Sequence, residues 1–152
     1  MIIKVVTDTN VILKGMFGYK SYERKILSLS LAKKIYLYGS SESYDEFCEK
    51  VKLPRLQRYW TKKNFSPDKI VLDYKTLINM HEPVGEAVTM SVPIRDPKDE
   101  IFIRIAVSVG AKIIVSEDKD LLDIKKFRDI KIVNAEKFVE TFFQLYPQGL
   151  LT

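Results

Sequence analysis

Cysteine and histidine are nearly absent from this chain of 152 residues, which has one of each, Cys48 and His81. A single cysteine allows no internal disulfide, and this fits a reducing compartment. One cysteine and one histidine cannot build a Cys/His zinc cluster. His81 lies near the end of a predicted helix, where a surface position beside the helix dipole is favoured over a catalytic role.

Long apolar runs are also missing. No run approaches the roughly 18 residues of a membrane span. Lys4 and Asp8 interrupt the apolar N-terminal stretch, so we expect no signal peptide. There is no repeat, low-complexity run or linker, and 46% of the residues are hydrophobic. We therefore expect a single globular domain over residues 1–152 that is cytoplasmic and does not engage a membrane.

The charge balance is basic, with a net charge of +5 and a pI near 9.2. A small basic excess is weak support for a polyanionic partner such as a nucleic acid. Acidic residues are concentrated in a few segments, so a carboxylate site and a cationic surface would be separate features of the molecule.

Apolar runs and helical stripes alternate along the chain, which predicts β-α-β units and a parallel sheet. The expected fold is a three-layer α/β/α sandwich with a mainly parallel central sheet. Predicted strands lie at 2–7, 35–38, 112–115 and 129–133, and residues 86–92 are predicted to be extended. Predicted helices lie at 21–34, 42–52, 66–81, 99–109 and after Asn134, with a short helix or loop at 11–19.

Carboxylates follow two of the predicted strands. Asp8 comes directly after the first strand, and Asp118 follows the strand at 112–115. Asp99 starts a helix that returns to the same edge of the sheet, and Glu46 lies on a neighbouring helix. Because parallel α/β sheets bind ligands beyond the carboxyl ends of their strands, these acids should share one crevice. Converging carboxylates repel unless a cation neutralises them, and Mg²⁺ or Mn²⁺ prefers such oxygen ligands.

Each of these acids also has a purely structural interpretation. Asp8 can cap the turn that follows it, and Asp99 can be a first-turn acid. Glu46 can complete a capping box with Ser43. The acids at 118 and 120 can be ordinary turn residues. The coincidence of three segments at one sheet edge favours a functional site.

A basic and aromatic stretch at 53–65 begins a predicted helical arm at about 53–82. For Trp60 and Phe65 we favour packing on the domain over base stacking. The cations can form a solvated face or an RNA-binding surface, and the sequence leaves both open. The candidate RNA-binding residues are Arg55, Arg58, Lys62 and Lys63.

Three segments together resemble the motifs of the PIN-domain family, and the similarity extends over nearly the whole chain. It is greatest to prokaryotic PIN-domain toxins related to VapC. The motifs are Val6-Thr7-Asp8-Thr9-Asn10-Val11, Arg95-Asp96-Pro97-Lys98-Asp99-Glu100-Ile101-Phe102 and Val115-Ser116-Glu117-Asp118-Lys119-Asp120-Leu121-Leu122.

The resemblance implies a metal-dependent endoribonuclease that uses Mg²⁺ or Mn²⁺ and acts as the toxin of a toxin-antitoxin pair. RNA would be the substrate, and an antitoxin protein and a second copy of the chain are candidate partners. Asp8, Glu46, Asp99 and Asp118 correspond to the catalytic acids, and Asp120 is an auxiliary or alternative ligand. We expect the metal to be held by Asp8, Asp99, Asp118 and Asp120, with Asn10, Ser116 and Asp96 in supporting positions.

Several points stay open at the level of sequence. The last motif does not decide between Asp118 and Asp120 as the main ligand, and Asp96 can instead hold its loop or an arginine. An inactive PIN-like module that binds RNA or a partner is the alternative function. A phosphotransfer receiver domain is disfavoured, because the early acid is single and the late strand ends in further acids rather than a lysine.

Overall fold

The computed structural model describes residues 2–18 and 20–147. Met1, Tyr19 and residues 148–152 of the predicted domain therefore lie outside the described residues. Within them, no helix is both long enough and apolar enough to cross a membrane. The strands are β1 (Ile3–Thr7), β2 (Ile35–Gly39), β3 (Ile78–Met80), β4 (Ile113–Val115), β5 (Lys126–Phe127) and β6 (Ile130–Val133). The helices are α1 (Thr9–Phe17), α2 (Tyr22–Leu31), α3 (Ser41–Val51), α4 (Pro54–Lys62), α5 (Pro67–Leu77), α6 (Glu86–Thr89), α7 (Glu100–Val109), α8 (Lys119–Ile124) and α9 (Ala135–Leu145), with a 3-10 turn at Pro97–Asp99 before α7.

The strands form one six-stranded sheet in the order β3-β2-β1-β4-β6-β5. The strands from β3 to β6 pair in parallel, and β5 runs antiparallel to β6 at one edge. In the register of β1 with its neighbours, Val6 lies opposite Tyr38 on β2 and Ile114 on β4. The predicted mainly parallel sheet is confirmed.

Helices cover both faces of this sheet. Side chains alternate along each strand, so Val5 and Val115 pack into one apolar core and Val6 and Ile114 into another. Helices α1 to α5 and α9 contribute to the first core, and α6 to α8 to the second. The three-layer α/β/α prediction is therefore confirmed.

Helix ends follow the local signals of the sequence. Asn134 caps α9 by accepting a hydrogen bond of 2.8 Å from the backbone N–H of Lys137. Ser21 and Ser40 are the N-caps of α2 and α3. Gly110 ends α7 in the left-handed conformation, with φ of 74°.

The predicted helix at 66–81 is too long. α5 ends at Leu77, and the chain turns directly into β3, which pairs with β2. His81 follows this strand, donates its backbone N–H to the carbonyl of Gly39 at 2.7 Å, and places Nε2 3.0 Å from the Ser108 hydroxyl. The helix-end position expected for His81 is therefore wrong. An apolar pair such as Leu77-Ile78 suits either a helix or a strand, and pairing with β2 decides.

Two further elements differ from expectation. Part of the stretch predicted as extended at 86–92 is the short helix α6. The acidic loop after β4 continues into α8, and a two-residue strand, β5, precedes β6. These elements are too short for their periodicity to be read from sequence.

Trp60 and Phe65, the two aromatic residues for which packing was expected, differ in how far they are buried. Trp60 is fully buried, and its indole N–H donates to the carbonyl of Val51 at 3.1 Å. Its ring centroid lies 4.1 Å from that of Phe17. The packing expected for Trp60 is confirmed. Phe65 contacts the edge of this cluster and stays 46% exposed, so it is only partly packed on the domain.

Candidate metal centre

The carboxyl ends of the two central strands bring the acidic motifs together. β1 ends at Thr7 and β4 at Val115, and these two residues are neighbours in the register. Asp8 and Ser116 therefore leave adjacent strands at the same level. The backbone N–H of Asp8 donates to the carbonyl of Val115 at 3.0 Å, which extends the ladder by one step. This pairing creates the edge at which the other acids meet.

Three carboxylates converge at that edge. Asp99, Asp118 and Asp120 each offer one oxygen, and these oxygens all lie within 4.8 Å of one another. Asp99 is buried, and the other two are half-buried. The group combines a 3-10 turn with the loop and helix that follow β4, so segments distant in sequence supply it. Oxygen donors at this spacing suit a hard divalent cation.

Asp99 has the most unfavourable surroundings of the three. Burial first, and then the negative charges of Asp118, Asp96 and Glu46, together raise the pKa of its carboxyl to about 7. Its Oδ2 is buried and has no hydrogen-bond partner within the described residues. A buried acceptor without a donor is costly unless a cation satisfies it. The residues present therefore fit a bound divalent ion.

Asp118 and Asp120 are positioned by the helix they begin. The carboxylate of Asp118 accepts a hydrogen bond of 2.8 Å from the backbone N–H of Asp120 and so caps α8. An oxygen of Asp120 lies 3.8 Å from the guanidinium of Arg95. Asp118 therefore makes the local turn contact that its purely structural interpretation predicts. The same geometry also aims both carboxylates at Asp99, so cap and ligand are compatible roles.

Asp8 is close to the group but does not belong to it. Its Oδ1 accepts from the backbone N–H of Val11 at 2.9 Å, which makes Asp8 the N-cap of α1. Its Oδ2 accepts from the hydroxyl of Ser116 and, at 3.1 Å, from the backbone N–H of Glu117. Burial raises the pKa of Asp8, while these hydrogen bonds and the charge of Lys50 act in the opposite direction. The contacts of Asp8 are structural, and its role as a direct metal ligand stays a prediction.

Ser116 connects Asp8 to the carboxylate group. Its fully buried hydroxyl donates to Asp8 and accepts from the backbone N–H of Asp118 at 2.9 Å. One hydroxyl thus fixes the end of β1 and the loop that carries Asp118. The supporting role of Ser116 in a metal site stays a prediction.

Glu46 approaches from α3. Its carboxylate accepts a hydrogen bond from the hydroxyl of Thr9, and its charge contributes to the raised pKa of Asp99. The alternative interpretation of Glu46, a capping box with Ser43, does not apply, because Ser43 forms its capping box with Ser40. Glu46 is therefore free of a capping role and faces the crevice.

The remaining supporting residues lie further out. Asn10 is exposed and accepts a hydrogen bond of 3.3 Å from the ammonium of Lys50. Asp96 accepts from the backbone N–H of Lys98 at 3.0 Å and so holds its own loop, which was one of the two alternatives for it. Arg95, its neighbour, is paired with Asp120.

The four candidate RNA-binding cations are exposed and belong to α4 and its C-cap. They form no part of the acidic crevice. A shallow concavity of about 490 Å³ lies on this helix. It is lined by Pro54, Gln57, Arg58, Thr61 and Lys62.

Two contributors to the site were not identified from sequence. Thr9 holds Glu46, and the backbone of Glu117 holds Asp8. Each lies directly beside a predicted acid in its motif, which is the only signal that could have indicated them. The contacts themselves join residues 37 and 109 positions apart, so spacing along the chain could not reveal them.

Comparison with known proteins agrees with this architecture. A family model described as PIN domain matches residues 4–120. The uncharacterized protein MJ1680 of Methanocaldococcus jannaschii is 29% identical over 156 residues, which cover 92% of each chain. The crystal structure of VapBC2 from Rickettsia felis bound to a DNA fragment from their promoter contains a similar chain, with a TM-score of 0.61 and 12% identity. That match covers 87% of this chain and 98% of the other, and it shows a shared fold.

The raised pKa of Asp99 predicts a pH-dependent stability. Its folded pKa of about 7 exceeds the ordinary value of 3.8, so the folded state binds more protons between these values and loses stability as pH rises. In EDTA, we expect wild type to lose about 2–3 kcal/mol more than Asp99→Asn between about pH 5 and about pH 8. Urea unfolding at the two pH values measures this difference. Parallel pH profiles for the two proteins would contradict the assigned environment of Asp99.

The three hydrogen bonds to Asp8 predict a structural effect of its replacement. Asp8→Asn replaces one acceptor oxygen by an amide nitrogen, so a donor from Val11, Ser116 or Glu117 is left unpaired. We expect a loss of about 1–3 kcal/mol in the unfolding free energy in EDTA. Asp120→Asn serves as the matched control, since it relieves repulsion and should leave stability equal or higher. Denaturant unfolding of both variants checks the contrast, and an unchanged Asp8→Asn would show that these contacts are not stabilising.

Proposed function

The chain belongs to the PIN-domain family, and on that premise we propose that it is a metal-dependent endoribonuclease. The reaction would be hydrolysis of RNA phosphodiester bonds, with Mg²⁺ or Mn²⁺ as the cofactor. The observation that carries this proposal is the group formed by Asp99, Asp118 and Asp120, together with the buried, unpartnered oxygen of Asp99. Three acids without a cation at such an edge are unfavourable, and a metal ion removes the penalty.

Each residue has a distinct task in this proposal. Asp99, Asp118 and Asp120 would hold the ion, with Asp8 and Glu46 beside them. A divalent ion bound there would polarise a phosphoryl oxygen and lower the pKa of a water molecule. Ser116 fixes the loop of Asp118 against Asp8, and Thr9 orients Glu46 through its hydroxyl. The reaction needs no side-chain nucleophile, which suits a chain with one cysteine and one histidine.

At several helix N-termini of this edge, a backbone donor is already engaged by one of the chain's own carboxylates. Asp8 caps α1 and Asp118 caps α8. Glu82 accepts from the backbone N–H of Ser41 at 2.7 Å at the start of α3, and Glu117 accepts from that of Ala135 at 3.2 Å at the start of α9. Substrate phosphates would therefore be held by the metal and by basic side chains.

The basic face of α4 is our candidate surface for the RNA strand outside the crevice. Arg55, Arg58, Lys62 and Lys63 are exposed there, and within the described residues none of them forms an ion pair with a carboxylate. Phe65 lies nearby with 46% of its surface exposed, where a base could stack.

We also propose a biological role as the toxin of a toxin-antitoxin pair. The chain resembles a component of VapBC2, a structure solved with DNA from its promoter. An antitoxin protein is thus the candidate partner, and a second copy of the chain is another. A cytoplasmic location fits both the RNA substrate and the single cysteine.

Neutralising one ligand should remove both metal binding and cleavage. We expect Asp118→Asn to reduce RNA cleavage in Mn²⁺ by at least about 100-fold, because an anionic ligand is lost while the side-chain volume is kept. Wild type should also gain about 2.7 kcal/mol of stability at an Mn²⁺ concentration 100 times the Kd, and the variant should gain far less. Gel-based cleavage of single-stranded RNA and thermal melts with and without Mn²⁺ measure the two effects.

The controls for this experiment separate the alternatives. Cys48→Ser should cleave at the wild-type rate, since no thiol takes part. A single-stranded DNA of the same sequence tests whether RNA is the preferred substrate. Wild-type protein that binds RNA and Mn²⁺ but never cleaves would establish the inactive RNA-binding module in place of the nuclease.

Removing positive charges from the exposed face of α4 should weaken RNA binding and leave metal binding unchanged. We expect the double variant Arg58→Gln/Lys62→Gln to lower RNA affinity roughly tenfold and to reduce the slope of log affinity against log salt by about 1.4. Lys126→Gln/Lys131→Gln carries the same charge change at the far edge of the sheet and should leave both quantities unchanged. Fluorescence anisotropy with a labelled single-stranded RNA, over a series of salt concentrations, measures them. Equal losses in the two double variants would indicate a purely non-specific charge effect.

A further inference from the structure

Lys50 lies at the mouth of the acidic crevice and has no role in the functions assigned so far. It occupies the last turn of α3, four residues after Glu46, so the two side chains lie on the same side of the helix. The residue is half-buried, and its ammonium donates to the side-chain oxygen of Asn10 on α1 at 3.3 Å. Lys50 therefore spans the gap between the two helices that flank the centre.

The ammonium of Lys50 is not neutralised by a carboxylate. Like the four cations of α4, Lys50 forms no ion pair within 4.0 Å in the described part of the chain. Its only hydrogen-bond acceptor there is the neutral amide of Asn10. Its charge nevertheless reaches the centre, because it is one of the influences that lower the pKa of Asp8. Lys50 thus provides an uncompensated positive charge next to the acids.

The opposite flank of Glu46 is negative. A groove of about 350 Å³ runs between α3 and the 3-10 turn before α7. It is lined by Glu42, Asp45, Glu46, Glu49, Pro97, Lys98 and Ile101. Four carboxylates against one lysine repel a phosphodiester strand from this side. A polyanion approaching the centre is therefore favoured on the α1 flank, where Lys50 lies.

A structural role alone explains Lys50 poorly. The contact with Asn10 is long and solvent-exposed, so it adds little to stability. α1 and α3 are already joined by apolar residues of one core, among them Val11, Ile12 and Phe47. A half-buried lysine whose ammonium has no carboxylate partner within 4.0 Å instead suits a side chain that reaches toward an anion.

We propose that Lys50 holds a backbone phosphate of the RNA strand beside the cleaved bond, on the α1 flank of the crevice. This inference rests on the proposed nuclease function and names a substrate-positioning residue for it. The ammonium would exchange its weak hydrogen bond to Asn10 for a charge-assisted one to a phosphate oxygen. The RNA strand would then run away from the acidic groove. The enzyme would therefore bind the RNA backbone on one side of the scissile bond only.

The test compares three variants of the full-length chain. Lys50→Gln removes the charge and keeps the length of the side chain, and Lys50→Arg keeps the charge. Lys131→Gln makes the same charge change on β6, at the end of the sheet away from the carboxyl edge, since Lys131 pairs with the first residue of β4. The probe is a fluorescein-labelled single-stranded RNA of mixed sequence. Anisotropy in EDTA over a salt series measures binding, and cleavage in Mn²⁺ separates KM from kcat.

We expect Lys50→Gln to raise the Kd for RNA about 3- to 10-fold and to lower the salt slope by about 0.7, as loss of one phosphate contact to a single strand requires. Its KM should rise more than its kcat falls, and its melting temperature should stay near that of wild type. Lys50→Arg should restore most of the affinity, and Lys131→Gln should match wild type.

Two outcomes would overturn the inference. One is wild-type affinity and salt slope in Lys50→Gln. The other is an equal loss in Lys50→Gln and Lys50→Arg, since that pattern would assign Lys50 to the contact with Asn10 rather than to a phosphate. If wild type cleaves RNA in Mn²⁺, the proposed nuclease function stands after either outcome. Wild-type protein that neither binds nor cleaves RNA would remove both proposals together.

Discussion

The buried carboxylate of Asp8 is the contact on which the organisation of the site depends. It accepts hydrogen bonds from α1, from the hydroxyl of Ser116 and from the backbone of Glu117, so it joins the ends of β1 and β4. A charged group with so little exposure to water needs these donors to stay ionised. They in turn fix the loop that carries Asp118. The position of the group formed by Asp99, Asp118 and Asp120 is therefore set by a residue outside that group.

The carboxylate group is held in place against its own repulsion. Asp99 is buried beside the charges of Asp118, Asp96 and Glu46. Burial and these charges raise its pKa to about 7, because both disfavour the ionised carboxylate. The apolar cores on both faces of the sheet supply the stability that tolerates it. Sites that bind or react commonly sacrifice stability in this way. In the proposed function, a bound cation would remove this repulsion.

The distribution of charge explains how a basic protein can present an acidic centre. A group of acids lies at the carboxyl edge of the sheet, where several of them also hold the starts of the helices there. The cations lie mainly on exposed surfaces, including α4. In the proposed function, the exposed cations would attract a polyanion and the acids at the edge would attract a metal ion. A net charge of +5 alone describes neither.

The sequence by itself determined the class of fold and the existence of the acidic edge. Apolar strands followed by acids, with helices between them, allow few arrangements other than a parallel sheet with its acids at one edge. Local signals were also sufficient for helix ends at Ser21, Gly110 and Asn134, because a cap depends on near neighbours only. The family motifs pointed to the same acids.

Only the tertiary structure decided which of those acids meet in space. One group is formed by Asp99, Asp118 and Asp120. The carboxylate oxygens of Asp8 instead accept hydrogen bonds, one of them from a residue 109 positions away. The strand β3 and the helix α8 likewise depend on partners that local periodicity does not encode. The physical reason is the same in each case. A hydrogen bond or a repulsion between distant segments depends on distance in space, and that distance exists only after the sheet has assembled.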